Sequence, residues 1–402
     1  MKTVTVIGGG ASGLIAAITA AEDPENRVVL LERQERVGRK LLATGNGRCN
    51  LTNTSASPSS YHGNIPSFAG PALSAFSPEA ALEWFRSIGL VCSVQYGGRV
   101  YPLSDSASSV LDVLRFSLAA SGAELLTGEA VESLARSRSG RFTVFTPQRV
   151  IEADAVIAAC GGRAGGKLGG TGSGYDLLKS LGHHCTPIYP ALVPISTDSE
   201  HPRSLKGVRV EAGIRLHKDG KLLAESSGEL QFTENGISGP AAFDVSRSAA
   251  IHGGDLSIDF LQDCSPEELI LLLQRRRKMS PELEVGNVFA GILHSRLGLA
   301  VVKSCFVRPS SPISELSDGN ILDLAGAAKD FHLRVKGVGG FENAQVTVGG
   351  IRCDEFDAST LQSRLVPGLY ACGELLDIDG DCGGFNLQWA WSSGRLAGRL
   401  GR

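Results

Sequence analysis

The chain has 402 residues, with 39 Lys and Arg against 42 Asp and Glu, a formal charge of −3, and 42% hydrophobic and 20% charged residues. That length calls for two or three domains with a sizeable core, and the composition excludes disordered and fibrous classes. The near-neutral charge leaves no footprint for nucleic acid, whereas 50 glycines, about 12% where about 7% is usual, show backbone freedom in use without a Gly-X-Y period.

In chain order, Lys2–Ile7 reads as a fully buried strand, 14–21 as a packed helix and 27–31 as a second apolar strand, which together make a βαβ unit. The start of the chain lacks the apolar core of a secretory signal. Between strand and helix stands Gly8-Gly9-Gly10-Ala11-Ser12-Gly13, a G-x-G-x-x-G run in the strand-to-helix context that gives it weight. Gly8 makes the tight turn, Gly10 lets main chain approach a pyrophosphate, and Gly13 allows close helix–strand packing. The helix N-terminus, with the N–H groups of Ala11 and Ser12, then faces the phosphate charge. Glu32 ends the second strand 19 residues past Gly13, with Arg33 beside it, placed to accept hydrogen bonds from an adenosine ribose and to repel a 2′-phosphate.

The next segment separates FAD from a simple NAD domain. Gly38-Arg39-Lys40 puts two cations after a glycine, and Gly45-Asn46-Gly47-Arg48-Cys49-Asn50 bends the chain back. Arg39 and Lys40 are placed to neutralise the pyrophosphate, and Gly45, Asn46, Arg48, Cys49 and Asn50 to lie near the ring system. No second G-x-G-x-x-G follows a strand. A dedicated NAD(P) domain is therefore not expected, which leaves NAD(P)H as a transient electron donor at the flavin.

A Ser- and Pro-rich stretch, 53–78, precedes a helix that runs from Pro78 to about residue 88 with Ser77 as N-cap. Residues 111–120 form another helix, followed by strands near 124–127, 130–136 and 141–145. A short buried strand, 155–159, enters a second glycine-rich turn at Ala159, Cys160 and Gly161. From about residue 190 the pattern alternates with period two, at 208–216, 222–225, 229–232 and 256–260, as in a small antiparallel sheet or barrel. Ser265-Pro266-Glu267-Glu268 is a capping box opening a helix through residue 277, and helical pattern continues to about 328. Strands resume at 332–338 and 344–348. Residues 368–373 form a strand running into Gly373 and Glu374, where Glu374 is positioned for ribityl or ribose hydroxyls. Gly383-Gly384-Phe385-Asn386 opens a closing helix, 387–396, with Asn386 as its expected N-cap and Leu387 in its first turn. A helix N-terminus aimed at the flavin pyrimidine edge stabilises the charge that develops there on reduction.

Two long motifs carry a resemblance. VIGGGASGLIAA with LLER and VGRKLLATGNGRCNLTN, together with GLYACGELLDIDGDCGGFNLQWAWSSG, resemble the BaiN/YhiN-type, aminoacetone-oxidase-like FAD-binding flavoproteins. The resemblance implies an α/β fold: a discontinuous, Rossmann-like FAD-binding domain of the GR2 type (1–190 plus 345–402), an inserted β-barrel-like domain (191–262 plus 329–344) and a small helical domain (263–328). It also implies that the backbone of Val131 meets adenine. Cys160 and Ser173 depart from the wider flavoprotein patterns, and Cys160 is expected only to pack.

The nine cysteines are scattered, with no C-x-x-C pair, which fits a reducing cytoplasm. No apolar run approaches the roughly 18 residues that span a bilayer. His183 and His184 are adjacent and lack a third ligand, so no metal is expected. Arg275 to Lys278 reads as a solvated helix terminus, and no nucleophile with its base stands out. The expectation is a cytoplasmic oxidoreductase with non-covalent FAD, acting on a small molecule and not on nucleic acid or membrane, with catalytic residues and oligomeric state open. The resemblance leaves the direction open between an NAD(P)H-dependent reductase of unsaturated substrates and an amine oxidase using O2. A flavin-binding sensor without turnover and an RNA-modifying flavoprotein are the other readings.

Overall fold

A computed structural model describes residues 1–198 and 200–402, and the chain divides into two units, 1–189 with 345–402, and 190–344. No helix among the described residues is long and apolar enough to cross a membrane.

The first unit is built on a five-stranded parallel sheet of β1 (Lys2–Ile7), β2 (Asn26–Glu32), β3 (Glu124–Thr127), β4 (Ala155–Ala158) and β5 (Leu369–Ala371), in the order β5-β4-β1-β2-β3. The central strands are buried over Val4–Ile7, Val28–Glu32 and Ala155–Ala158 because both faces are covered there, as parallel sheets require, while Lys2 and Arg27 at the strand starts are exposed. The opening helix, Ala11–Ala20, and the closing helix, Phe385–Gly398, pack side by side on this sheet. Small residues set that closeness: a Cβ at Gly394 would stand 2.4 Å from the Ser12 carbonyl oxygen. Trp389 and Trp391 are buried, and each indole N–H finds a carbonyl, Gly373 O at 3.0 Å and Leu51 O at 2.8 Å.

The second unit is a closed six-stranded antiparallel barrel. Its strands follow one another around the ring as Ile195–Thr197, Gly236–Ser238, Lys221–Phe232, Arg209–Lys218, Asp255–Asp259 and Phe331–Val338. The two short strands expected at 222–225 and 229–232 are one, because Ser226, Ser227 and Gly228 keep pairing with Ile214, Gly213 and Ala212. Polar residues at the middle of a strand broke the alternation without breaking the ladder. A helix at Pro240–His252 went unread, since Gly239 and Pro240 resemble a turn although Pro at a first helical position is favourable. The capping box at Ser265 is formed as expected and opens Pro266–Met279. Arg276 and Arg277 are not merely solvated: they donate to the Val288 and Leu316 carbonyls at 2.5 and 2.6 Å, tying this helix to later segments.

Candidate functional site

Parallel strands end on one edge, and here four of them do so in register. Ile7 stands beside Leu31 and Ala158, and Ala158 beside Ala371. The segments that follow these strands therefore meet at the carboxyl edge of the sheet, where the strand order switches direction and α/β folds bind ligands. They are Gly8 to Gly10, Glu32, Ala159 to Gly162, and Cys372 to Glu374.

The opening turn is tight for an identifiable reason. A Cβ at Gly13 would stand 1.8 Å from the Gly8 carbonyl oxygen, so only glycine lets the helix pack there. Gly10, by contrast, is the N-cap, has nothing within 4 Å of a built Cβ, and no side chain caps the helix. The first-turn N–H groups of Ala11 and Ser12 thus face open space with the positive end of the helix dipole behind them. The buried Ser12 lies against the C-terminal motif, with its hydroxyl 2.5 Å from where a Gly373 Cβ would be.

Glu32 is buried, and its two oxygens accept N–H groups from Gly9 and Gln34, each at 2.8 Å. The carboxylate therefore fixes the glycine turn and keeps two lone pairs for a further donor. Arg33 is exposed and reaches Thr171 at 2.8 Å. Glu129 N–H donates to the Glu32 carbonyl at 2.9 Å, which brings the segment holding the half-buried Val131 to the same end.

Of the two cations expected at the pyrophosphate, Lys40 pairs with Glu374, and Arg39 reaches Gln34 Oε1 at 2.6 Å and the Lys167 carbonyl at 3.2 Å. Glu374 also accepts the Thr347 N–H at 2.7 Å, and Thr347 Oγ1 in turn accepts the N–H groups of Arg163 and Ala164, both at 2.9 Å. Burial pushes the Tyr175 phenol beside this network well above its ordinary value, with Glu374 adding to the shift.

At the other end, Gly45 and Asn46 take left-handed backbone, and Gly45 lies against the Asn50 amide. Asn46 is exposed. Arg48 stacks 4.2 Å over the Tyr101 ring and bonds Asp105 at 2.5 Å, so its guanidinium is already engaged on the protein surface. Asn50 Oδ1 is buried without a partner, about 3.0 Å from where a Gly384 Cβ would stand. Gly384, not Asn386, caps the closing helix. Asn386 instead exchanges two hydrogen bonds with Gly380, at 2.8 and 2.7 Å, and so fixes the turn before the helix. Asn386 looks like the cap in sequence because Asn favours N-caps more than Gly does, yet the helix starts two residues earlier. Leu387 lies in the first turn, half-buried against the core.

These features fit a bound flavin nucleotide. An orphaned buried acceptor stands next to an uncapped helix start, and a second uncapped helix with open space before it lies on the sheet edge. Asn50, the Gly384 turn and the closing helix suit the pyrimidine edge, Ala11 and Ser12 the pyrophosphate, and Glu32 the ribose hydroxyls.

Burial pushes the Cys49 and Cys160 thiols up to about 12, which disfavours the thiolates that redox chemistry needs. Cys160 packs against Gly174, where a Cβ would stand 2.5 Å from its own. Gly161 has left-handed backbone and Ala159 is buried.

Two groupings escaped the sequence because their members lie far apart in the chain. His62 Nε2 and Asp381 Oδ1 are 2.7 Å apart, beside the Gly383–Gly384 turn. Ser363 Oγ is 2.9 Å from His183 Nε2, and His183 Nδ1 is 2.8 Å from Glu355. This second set has the order of a nucleophile, base and acid. Ser363 is buried, however, and its oxygen accepts the N–H groups of Leu365 and Val366, so it is a structural tie. No cluster of three or more metal-ligating side chains stands among the described residues. The concavity of about 510 Å³ beside Thr19, Pro24 and Arg402 lies at the far end of the opening helix from the glycine turn.

A family model for the HI0933-like protein Rossmann domain matches residues 2–400. The chain is 41% identical, over 99% of its length and 98% of the relative's, to a 3-dehydro-bile acid delta(4,6)-reductase of Clostridium scindens. It is 29% identical, over 96% and 95%, to a ribosomal RNA dihydrouridine synthase of Escherichia coli K12. Among solved structures, a flavocytochrome c3 fumarate reductase aligns with all of this chain and 78% of its own, at 17% identity and a TM-score of 0.49.

Proposed function

We propose, for a chain that belongs to the HI0933-like Rossmann-domain family and is an FAD-dependent oxidoreductase, that it works as a reductase which saturates a carbon–carbon double bond conjugated with a carbonyl group in a small, largely apolar molecule. The observation that carries this reading is the 41% identity along the whole chain to a delta(4,6)-reductase of a 3-dehydro compound. When bound, FAD supplies the hydride chemistry. The protein's part is to hold the cofactor with the glycine turn, Glu32 and the closing-helix turn, to leave one face of the ring open to substrate, and to supply a proton. NADH or NADPH is the proposed electron donor.

The RNA reading rests on a real observation, the 29% identity to a dihydrouridine synthase, whose product is a uridine carrying two added hydrogens. Both relatives' names describe addition of hydrogen across a double bond conjugated with a carbonyl. The net charge of −3 favours a small molecule over RNA as the carrier of that bond. Anaerobic mixing of the FAD-loaded protein with NADH or NADPH, followed at the flavin absorbance band, tests the proposal. Bleaching, followed by recovery of the band when a conjugated dienone is added, is expected. A flavin that stays oxidised, with oxygen consumed on amine substrates, would replace the reductase with an oxidase. Recovery with a uridine-containing RNA and not with the dienone would favour the RNA reading.

A further inference from the structure

We propose that His62 and Asp381 form the pair that delivers the proton in this reduction, an inference that rests on the reductase reading above. Adding hydrogen across a conjugated double bond needs a hydride at the β-carbon and a proton at the α-carbon, and the cations of the glycine motifs, Lys40, Arg39 and Arg48, are engaged by Glu374, Gln34 and Asp105.

The pair is built into the turn that precedes the closing helix. Tyr61–His62 and Asp379–Gly380 run antiparallel, with His62 beside Asp379 and Tyr61 beside Gly380. Tyr61 faces inward and donates its hydroxyl proton to the Phe385 carbonyl at 3.0 Å, which anchors this strand to the first turn of the helix. Successive side chains on a strand point to opposite faces, and His62 is 38% exposed on the face away from Tyr61. Asp381 is held from three sides: its N–H donates to the Ser60 carbonyl at 3.1 Å, its carbonyl accepts from Asn386 at 3.3 Å, and its carboxylate takes His62 at 2.7 Å. It stands three residues before Gly384, where Asn50 Oδ1 lies unpartnered.

A histidine held by a carboxylate through Nε2 keeps its other nitrogen for chemistry. Nδ1 of His62 makes no hydrogen bond among the described residues. The charged groups facing His62 are Asp381, its ion-pair partner, and Asp379, its strand partner. In the reaction the π bond of the substrate breaks, the hydride from the reduced cofactor forms a C–H bond at the β-carbon, and the His62 Nδ1 proton forms the second at the α-carbon. The substrate gains two electrons and the cofactor loses them. His62, left neutral, regains a proton from water, and a nicotinamide hydride donor restores the reduced cofactor.

The test uses His62→Gln, which keeps an amide donor for Asp381 but has no transferable proton, and Asp381→Asn, which keeps the acceptor and removes the charge. Each is loaded with FAD, reduced anaerobically with dithionite, and mixed with androsta-4,6-diene-3,17-dione as a conjugated dienone probe. FAD retention and the shift of the oxidised flavin band on adding the probe are expected to match the wild type in both variants, which reports folding and binding apart from turnover. Reoxidation is expected to slow about 10²-fold or more in His62→Gln and about 10-fold in Asp381→Asn. Wild-type reoxidation rates in His62→Gln, with probe binding intact, would overturn the proton-delivery role while leaving the reductase reading standing. A wild-type protein that the probe binds to but does not reoxidise would overturn both.

Discussion

The Lys40 ammonium and the Glu374 carboxylate form an ion pair across 334 residues of chain, joining the segment after the first βαβ unit to the turn after β5. Both were expected at the cofactor, and each satisfies the other. Glu374 is further fixed by the Thr347 N–H, so the pair is more than a surface contact, although the side chains keep 34% and 20% exposure. Lys40→Met leaves a half-buried carboxylate short of its cation. The expected cost is about 1 kcal/mol, or a fall of about 2–4 °C in Tm, together with weaker FAD retention after gel filtration. A melting curve superimposable on the wild type's would show that the pair contributes nothing.

Gly10 and Gly13 belong to one motif and give opposite outcomes on substitution by alanine. At Gly13 the new methyl meets the Gly8 carbonyl oxygen at 1.8 Å, so the opening helix must leave β1. Overpacking of this kind costs about 1–3 kcal/mol or more, and the protein is expected to melt early with or without FAD. At Gly10, φ is −81° and nothing lies within 4 Å, so alanine fits the free chain. Its methyl stands in the space proposed for the pyrophosphate. Gly10→Ala is expected to leave the Tm of the FAD-free protein within the error of measurement and to weaken FAD binding at least 10-fold. Equal FAD affinity would remove the pyrophosphate from this turn.

Glu32 is a case where the sequence reading names the residue and only part of its work. Its position at the end of β2 is legible from the apolar run before it, and that position is what proposes a ribose partner. Its hydrogen bonds to the Gly9 and Gln34 N–H groups are not, because they depend on how the turn folds back. The same limit holds for the site as a whole. The glycine turns and the closing helix carry local signals in backbone chemistry, and the alternation of 208–232 announces an antiparallel sheet or barrel. The pairs His62 with Asp381 and Lys40 with Glu374 have no local signal, since 319 and 334 residues separate their members. Arg48 is legible as a cation of this loop, whereas its partners Asp105 and Tyr101 have no local signal.

Cys49, Cys160 and Cys372 give a test of burial that needs no cofactor. Desolvation pushes each thiol up to about 12, so at pH 8 only about one molecule in 10⁴ carries a given thiolate. Iodoacetamide at pH 8 is expected to leave these three unmodified in the native protein, and to modify all nine cysteines in guanidinium, as read by peptide mass. Rapid native labelling of Cys49 would reopen a redox role for the loop that holds it.

His183 makes stability depend on pH. Its side chain is fully buried and stacked on Phe356 at 4.7 Å. Ser363 Oγ accepts two backbone N–H groups and so turns its own proton toward Nε2, which assigns the Nδ1 proton to the bond with Glu355. That network suits the neutral ring. Protonation would set a second N–H against the Ser363 hydroxyl. Burial accordingly holds His183 below its ordinary value of 6.5, against the pull of Glu355. Between 6.5 and the lower folded value the unfolded chain binds a proton that the folded chain does not, so unfolding takes up protons and stability rises with pH. The contribution is complete above about pH 6.5 and is lost as pH falls through that window. Glu355 acts in the same direction at lower pH: its burial opposes the shift, but hydrogen bonds from His184 and His183 hold it below 4.5. His184 meets the other Glu355 oxygen from an exposed position. Urea unfolding at pH 7 and pH 5 is expected to show a larger loss of stability in the wild type than in His183→Gln. Equal losses in the two proteins would mean that His183 titrates alike in the folded and unfolded chains, and the network would then not select the neutral ring.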